Sequence, residues 1–276
     1  MSLPLLRKLL ASGEQHVSPF LVLGDPDPTT SEALAVAAVE AGCRMLELGI
    51  PYEDPSADGP AIQRAGERAR RAGVSTPQAL AILARIRARC PEVACNLLVY
   101  GNLVHARGYA RFCADAVAAG ASSLLVPDIP LEEGTPLAAA CAQAGLGHVQ
   151  LVAPTSDDER IAALDAAASA FLYVTAYQGV TGAAPDGDAG LLARVRAHAR
   201  LPLCLGFGLS RRAQIDTAFA AGASVAVVGS HLARAIERGV REPGSDPAAV
   251  RTRFLSALQP LLLPAQDDSE GELRCS

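Results

Sequence analysis

Apolar residues fall in short unbroken runs along the chain, and each run gives way to Gly, Pro, Asp or Asn. Eight such runs occupy residues 20–23, 45–48, 94–100, 122–126, 148–152, 170–175, 202–206 and 224–228. A run without alternation is apolar on both faces, as expected of a strand in a parallel sheet covered by helices. Between the runs lie alanine-rich stretches with helical spacing, at 31–41, 78–89, 109–119, 137–144, 159–168, 190–199 and 211–221. Several of these stop at a glycine (Gly42, Gly120, Gly145, Gly222), which a left-handed helix C-cap prefers. Eight alternating strand–helix units with right-handed crossovers predict an α/β fold, a closed (β/α)8 TIM barrel. An open doubly wound sheet is the alternative, because strand order is not visible in a sequence. Residues 4–10 predict a short extra N-terminal helix that plugs the barrel bottom. No linker divides the chain, so residues 1–263 are expected to form one barrel domain. Residues 264–276 form a polar, acidic C-terminal tail expected to be disordered.

At 276 residues and half hydrophobic, the chain has ample material for one large core. A net charge of −5 argues against non-specific nucleic-acid binding. No run approaches a membrane span, and the first fifteen residues do not make a signal peptide, so a cytoplasmic protein is expected. The seven cysteines show no CxxC pairing and read as reduced thiols.

In a barrel, chemistry sits where strands run out into the following loops. Those positions hold Asp25, Glu47, Asp58, Asn102, Asp128, Thr155, Tyr173, Gly182, Gly208 and Ser230. Three glycine clusters follow the last three strands: Gly179-Val180-Thr181-Gly182, Gly206-Phe207-Gly208 and Gly229-Ser230. Backbone N–H groups at helix starts, with glycines allowing close approach, bind phosphate without a cation. A phosphate ester is therefore the expected substrate.

Glu47 and Asp58 bracket the stretch LELGIPYEDPSADGPAIQ at residues 46–63. Taken singly, Glu47 suits an ion pair with Arg44 or Arg64, and Asp58 suits an Asx turn. Together over a phosphate site they favour a catalytic pair. Elimination narrows the chemistry. A Schiff-base mechanism needs a lysine at a strand end, and the only lysine, Lys8, precedes the first strand. The five histidines lack metal-ligand spacing, and no dinucleotide-binding GxGxxG follows a strand. General acid–base chemistry by carboxylates, without metal or cofactor, is what survives.

The stretch at 46–63 resembles the signature of the tryptophan synthase alpha subunit family. Pro19-Phe20, Leu23-Gly24-Asp25-Pro26, Tyr100 with Asn102, Val126-Pro127-Asp128, Ala153-Pro154-Thr155 and the three glycine clusters resemble that family's motifs in order, from about residue 3 to 262. The resemblance implies a lyase of tryptophan biosynthesis. It would cleave indole-3-glycerol phosphate to indole and glyceraldehyde 3-phosphate and pair with a beta subunit in an α2β2 heterotetramer. Glu47 would protonate the ring carbon and take the glycerol hydroxyl proton, while Asp58 would accept the indole N–H. Phe20, Ile62, Leu97, Tyr100, Leu125, Tyr173 and Phe207 would line or support the indole pocket, and Thr181 would bond Asp58 when a lid closes. Gly182, Gly208, Gly229 and Ser230 would hold the phosphate.

An apolar pocket should raise the Glu47 pKa, whereas Asp58 is expected to stay ionised in a more polar loop. The chain departs from the family at Glu53, Tyr177-Gln178, a short loop at 183–189 and Val22. The altered lid and Glu53 leave room for a stand-alone paralogue releasing free indole; a non-catalytic partner of a beta subunit is a separate alternative, which the presence of both Glu47 and Asp58 argues against. A sugar-phosphate isomerase is the remaining phosphate-binding barrel.

Overall fold

The computed structural model describes residues 2–175, 189–206, 208–241 and 246–263. Eight strands close a parallel barrel in sequence order: β1 (His16–Val22), β2 (Met45–Gly49), β3 (Ala94–Leu98), β4 (Ser123–Leu125), β5 (Gly147–Val152), β6 (Leu172–Thr175), β7 (Leu203–Gly206) and β8 (Val225–Val228). Closure, with β8 paired to β1, excludes the open sheet. The helices are α1 (Ser2–Ala11), α2 (Pro28–Glu40), α3 (Pro60–Arg71), α4 (Thr76–Arg89), α5 (Gly101–Arg107) and α6 (Tyr109–Ala119). They continue with α7 (Thr135–Ala144), α8 (Asp158–Ala167), α9 (Ala189–His198), α10 (Arg212–Ala220), α11 (Ser230–Arg241) and α12 (Pro247–Leu262).

Each strand is buried almost end to end, which is why the apolar runs located them. β1 starts four residues before the apolar run, because polar His16 and Ser18 point into buried space and interrupt the hydrophobic signal. Four helices that helical spacing did not mark are present, α3, α5, α11 and α12. The inward face of α3 consists of Ala61, Ile62, Ala65, Gly66 and Ala69, small apart from Ile62 and set among arginines. α12 carries Pro260 within the helix.

The expected extra helix is α1, and it lies under the barrel. Leu6 is fully buried, and Leu3 Cδ1 stands 3.0 Å from where a Cβ on Gly147 would project at the start of β5. The glycine thus makes room for the plug. The four expected helix-ending glycines all have positive φ, between 72° and 115°. The six cysteines among the described residues are buried free thiols, and no described helix is long and apolar enough to cross a membrane. The polar tail at 264–276 lies outside the described residues.

Candidate active site

The strand register builds the site. Glu47 on β2 is level with Phe20 on β1 and Asn96 on β3, and Asn96 is level with Ser123 on β4. Since side chains alternate along a strand, these residues form one inward layer. A polar row inside an otherwise apolar barrel must satisfy itself. Ser123 Oγ donates to Asn96 Oδ1 at 2.8 Å, which turns Asn96 Nδ2 towards Glu47 Oε1, also at 2.8 Å. From across the barrel the Tyr173 hydroxyl donates to Glu47 Oε2 at 3.0 Å. Both carboxylate oxygens are thereby fixed, with 1 % of the residue exposed.

Burial dominates the electrostatics. It raises the Glu47 pKa to about 7, against the two hydrogen bonds that favour the ionised form, and the nearby Asp58 charge pushes it further up. No arginine contributes to this shift; Arg64 instead grips Glu237 at 2.7 Å. The ion-pair reading of Glu47 therefore fails.

Asp58 approaches from the loop between β2 and α3. Gly59 and Pro60 start α3 directly behind it, and Gln63 Nε2 donates to the Asp58 carbonyl at 2.8 Å. The buried Tyr100 hydroxyl accepts from the Ala57 N–H at 3.1 Å and bonds the Asp58 carboxylate, while its ring stacks on Tyr52 at 5.2 Å. Burial raises the Asp58 pKa to about 6, only partly offset by Tyr100. The expectation of one raised and one ordinary carboxyl is thus corrected. Both are raised, because the Asp58 loop is folded down over the barrel mouth.

Phe20, Glu47, Asp58, Ile62, Tyr173, Gly208, Gly229 and Ser230 line one pocket at the C-terminal mouth, with about 380 Å³ of empty space. Leu98 and Val227 complete the wall. Leu98, rather than the expected Leu97, faces the pocket because it shares the inward parity of Asn96 two residues before it. Tyr100 lines the adjoining cleft beneath Asp58, and Leu125 lies buried in β4 away from the pocket wall. Phe207 and residues 176–188, Thr181 and Gly182 among them, lie outside the described residues.

The sequence reading passed over Asn96 and Ser123. Their signal was present, as polar residues at the register of Glu47 inside apolar runs. Asp25 and Asp128, read as candidates at strand ends, serve the scaffold. Asp25 pairs with Arg68 at 2.6 Å, and Asp128 accepts from the Gly101 N–H at 2.7 Å. Glu53 points outward, with 72 % of its side chain exposed and Arg70 3.5 Å away.

On the far side of the mouth, Gly229 lets the chain pass close to Phe20, whose Cβ is 3.3 Å from where an added Cβ would sit. Ser230 opens α11, so free N–H groups and the helix dipole face the pocket. Gly208, at φ +81°, supports the same wall. An acid-capable carboxyl, an anionic carboxylate and a phosphate-sized helix terminus therefore meet around an apolar slot. Among the described residues no group of three or more His, Cys, Asp or Glu is arranged to hold a metal.

Gly206 is what admits Tyr173. A Cβ there would lie 2.0 Å from the tyrosine oxygen. Gly206→Ala should displace Tyr173 and remove a donor that lowers the Glu47 pKa. The alkaline limb of the pH–rate profile should then move to higher pH, with a stability loss of roughly 1–3 kcal/mol from overpacking. Thermal melts and rate profiles of the variant check both.

The model of the family described as "Tryptophan synthase alpha chain" matches residues 6–257. A tryptophan synthase alpha chain from Nitrosococcus oceani is 39 % identical over 266 residues, covering 95 % of this chain and 96 % of the relative. Tryptophan synthase from Mycobacterium tuberculosis superposes with a TM-score of 0.82 at 33 % identity, covering 94 % of this chain and 95 % of that one. A structure described as the tryptophan synthase α2β2 complex of Pyrococcus furiosus, concerned with mutual activation, gives a TM-score of 0.81 at 30 % identity and covers 90 % and 97 %.

Proposed function

Because the chain belongs to the tryptophan synthase alpha chain family, we propose that it is the lyase that cleaves indole-3-glycerol phosphate to indole and glyceraldehyde 3-phosphate. Residues 1–263 act as one catalytic unit. The observation that carries this reading is the pairing of a fully buried, doubly hydrogen-bonded Glu47 with Asp58 over an apolar slot that ends at the start of α11.

The reaction begins with Glu47 protonated. It delivers its proton to the ring carbon that bears the glycerol chain, and positive charge spreads to the ring nitrogen. Asp58, ionised, accepts the indole N–H and stabilises that charge. Glu47, now a carboxylate, takes the proton of the hydroxyl adjacent to the breaking bond. The carbon–carbon bond pair returns to the ring, and the aldehyde forms. Indole leaves neutral and Glu47 is protonated again, so protons balance without metal or cofactor. Phe20, Ile62, Leu98 and Val227 hold the ring, and backbone at Gly208, Gly229 and Ser230 holds the phosphate. Gly182 would add to that cradle, Thr181 to the hold on Asp58 and Phe207 to the ring pocket. Tyr100 positions Asp58, and Leu125 supports the wall from within the barrel.

The two pKa values predict the pH dependence. Activity rises as Asp58 ionises near pH 6 and falls as Glu47 loses its proton near pH 7. A narrow bell in kcat/KM is expected, its limbs belonging to the pair. Asp58→Asn should flatten the acid limb, and a profile with its maximum above pH 9 contradicts the assignment.

The partner is a tryptophan synthase beta subunit, as in the Pyrococcus furiosus α2β2 complex, and the site is cytoplasmic. Adding beta subunit should raise turnover of indole-3-glycerol phosphate. The outward-facing Glu53 leaves the pocket as the family reading needs it and removes one motive for the stand-alone alternative. Unchanged turnover at saturating beta subunit would instead favour that alternative.

A further inference from the structure

We propose that Ser123 and Asn96 are positioning residues for the cleavage: they hold the Asn96 amide in one orientation and so confine the exchangeable proton of Glu47 to Oε2, the oxygen that Tyr173 bonds. The consequence for turnover rests on the lyase reading, while the placement of the proton rests on hydrogen bonding alone.

Asn96 on β3 and Ser123 on β4 are fully buried and level with each other, and Asn96 is level with Glu47. An asparagine offers one accepting oxygen and one donating nitrogen. Ser123 Oγ donates to Oδ1 at 2.8 Å, which takes up the acceptor and leaves Nδ2 to meet Glu47 Oε1, also at 2.8 Å. An amide N–H cannot receive a proton, so Oε1 is kept in the role of a carbonyl oxygen. A hydroxyl can donate or accept. The Tyr173 hydroxyl, 3.0 Å from Oε2, therefore suits that oxygen with or without its proton. The pocket lies on the same side: Tyr173 lines it, and Asn96 and Ser123 are absent from its wall.

The simplest competing explanation is a serine and an asparagine that merely satisfy one another inside the barrel. Two apolar residues of their size would leave nothing there to satisfy. Glu47 is the group on this layer that needs them, because it is buried and among the described residues no cation enters its pKa shift.

Proton transfer then balances at one atom. Oε2 gives its proton to the ring carbon, Tyr173 turns its O–H to the new carboxylate, and Asn96 supports the charge on Oε1. Oε2 next takes the proton of the glycerol hydroxyl, the carbon–carbon pair returns to the ring, and the acid is restored. The titratable groups that face Glu47 are Asp58 from the loop after β2, Tyr173 from β6 and Cys204 from β7. Burial holds the last two well above their ordinary values, so they keep their protons where Glu47 and Asp58 titrate.

Carbon-13 NMR of the full chain labelled at its glutamate carboxyls, with the Glu47 signal assigned by its loss in Glu47→Gln, follows the proton directly. Asn96→Leu removes the donor and should raise the Glu47 midpoint by about one pH unit. Ser123→Ala lets Asn96 turn its oxygen to the protonated acid and should raise the midpoint as well. Ser123→Thr, which keeps the hydroxyl, should retain the native midpoint. In turnover of indole-3-glycerol phosphate, Ser123→Ala should lower kcat by about tenfold with KM little changed, because the proton is no longer held at the oxygen facing the pocket. A native midpoint in folded Ser123→Ala overturns the proposal, and that variant decides alone if Asn96→Leu does not fold. A raised midpoint with kcat unchanged overturns the positioning role. A native chain that cleaves nothing while the midpoints move as expected contradicts the lyase reading and leaves the placement of the proton standing.

Discussion

Glu47→Gln should lower kcat for indole-3-glycerol phosphate cleavage by a factor on the order of 10³, the range of a lost general acid–base group. The amide has the shape of the carboxyl and can still accept from Asn96, so substrate binding should change little and the loss should appear in kcat rather than KM. The same variant should gain stability, and the sign follows from the pKa. The folded value of about 7 lies above the ordinary 4.5. Ionising Glu47 therefore favours the unfolded chain, so its contribution is greatest below about pH 4.5 and is lost as pH rises through 7. At pH 8 Glu47→Gln removes that cost, on the order of 2 kcal/mol. Melts at pH 4 should show no such gain. A more stable, inactive variant is the mark of a group held under electrostatic stress for chemistry.

The second large effect belongs to stability alone. Arg68→Ala should destabilise the fold by roughly 3–5 kcal/mol near pH 8, as removal of one partner of a buried ion pair does. Arg68 makes two bonds to Asp25, at 2.6 and 2.9 Å, and lies 4.0 Å from Glu237. Glu237 is also held by Arg64 and Arg241, each at 2.7 Å. This network ties the end of β1 to α3, which follows the Asp58 loop, and to α11, which opens at Ser230. Burial keeps the Asp25 pKa at about 6 despite Arg68. Raised above 3.8, that carboxyl lends most stability below about pH 4 and loses it as pH passes 6. Without Arg68 the charge is left bare, so the deficit should be large at pH 8 and shrink at pH 5, where Asp25 takes up its proton. Urea unfolding at the two pH values measures it, and equal deficits would contradict the account.

The sequence carried the architecture because its strands are apolar on both faces and its helices stop at glycines. That Glu47, Asp58, Gly208 and Ser230 would meet in one pocket was legible because a barrel gathers its strand ends at one mouth. Asp25 stands at such an end too but is absent from that pocket's lining; only the fold shows that Arg68, forty-three residues on, claims it. Leu98 and Leu97 are equally apolar, and which one faces the pocket depends on the parity set by Asn96. The raised Asp58 pKa was hidden for a similar reason, since a loop rich in turn-formers reads as polar and exposed until it folds over the mouth. α3 escaped because apart from Ile62 its core face is alanine and glycine, set among arginines that keep its mean hydropathy low.

The central claim is that this pocket performs carboxylate acid–base cleavage of a phosphorylated indole glycerol. The most direct measurement is release of glyceraldehyde 3-phosphate and indole from indole-3-glycerol phosphate by the purified chain, with Glu47→Gln run alongside. The account predicts equimolar products from the native chain and loss of both in the variant. Cleavage that persists unchanged in the variant, or a native chain that releases neither product with or without beta subunit, would contradict it.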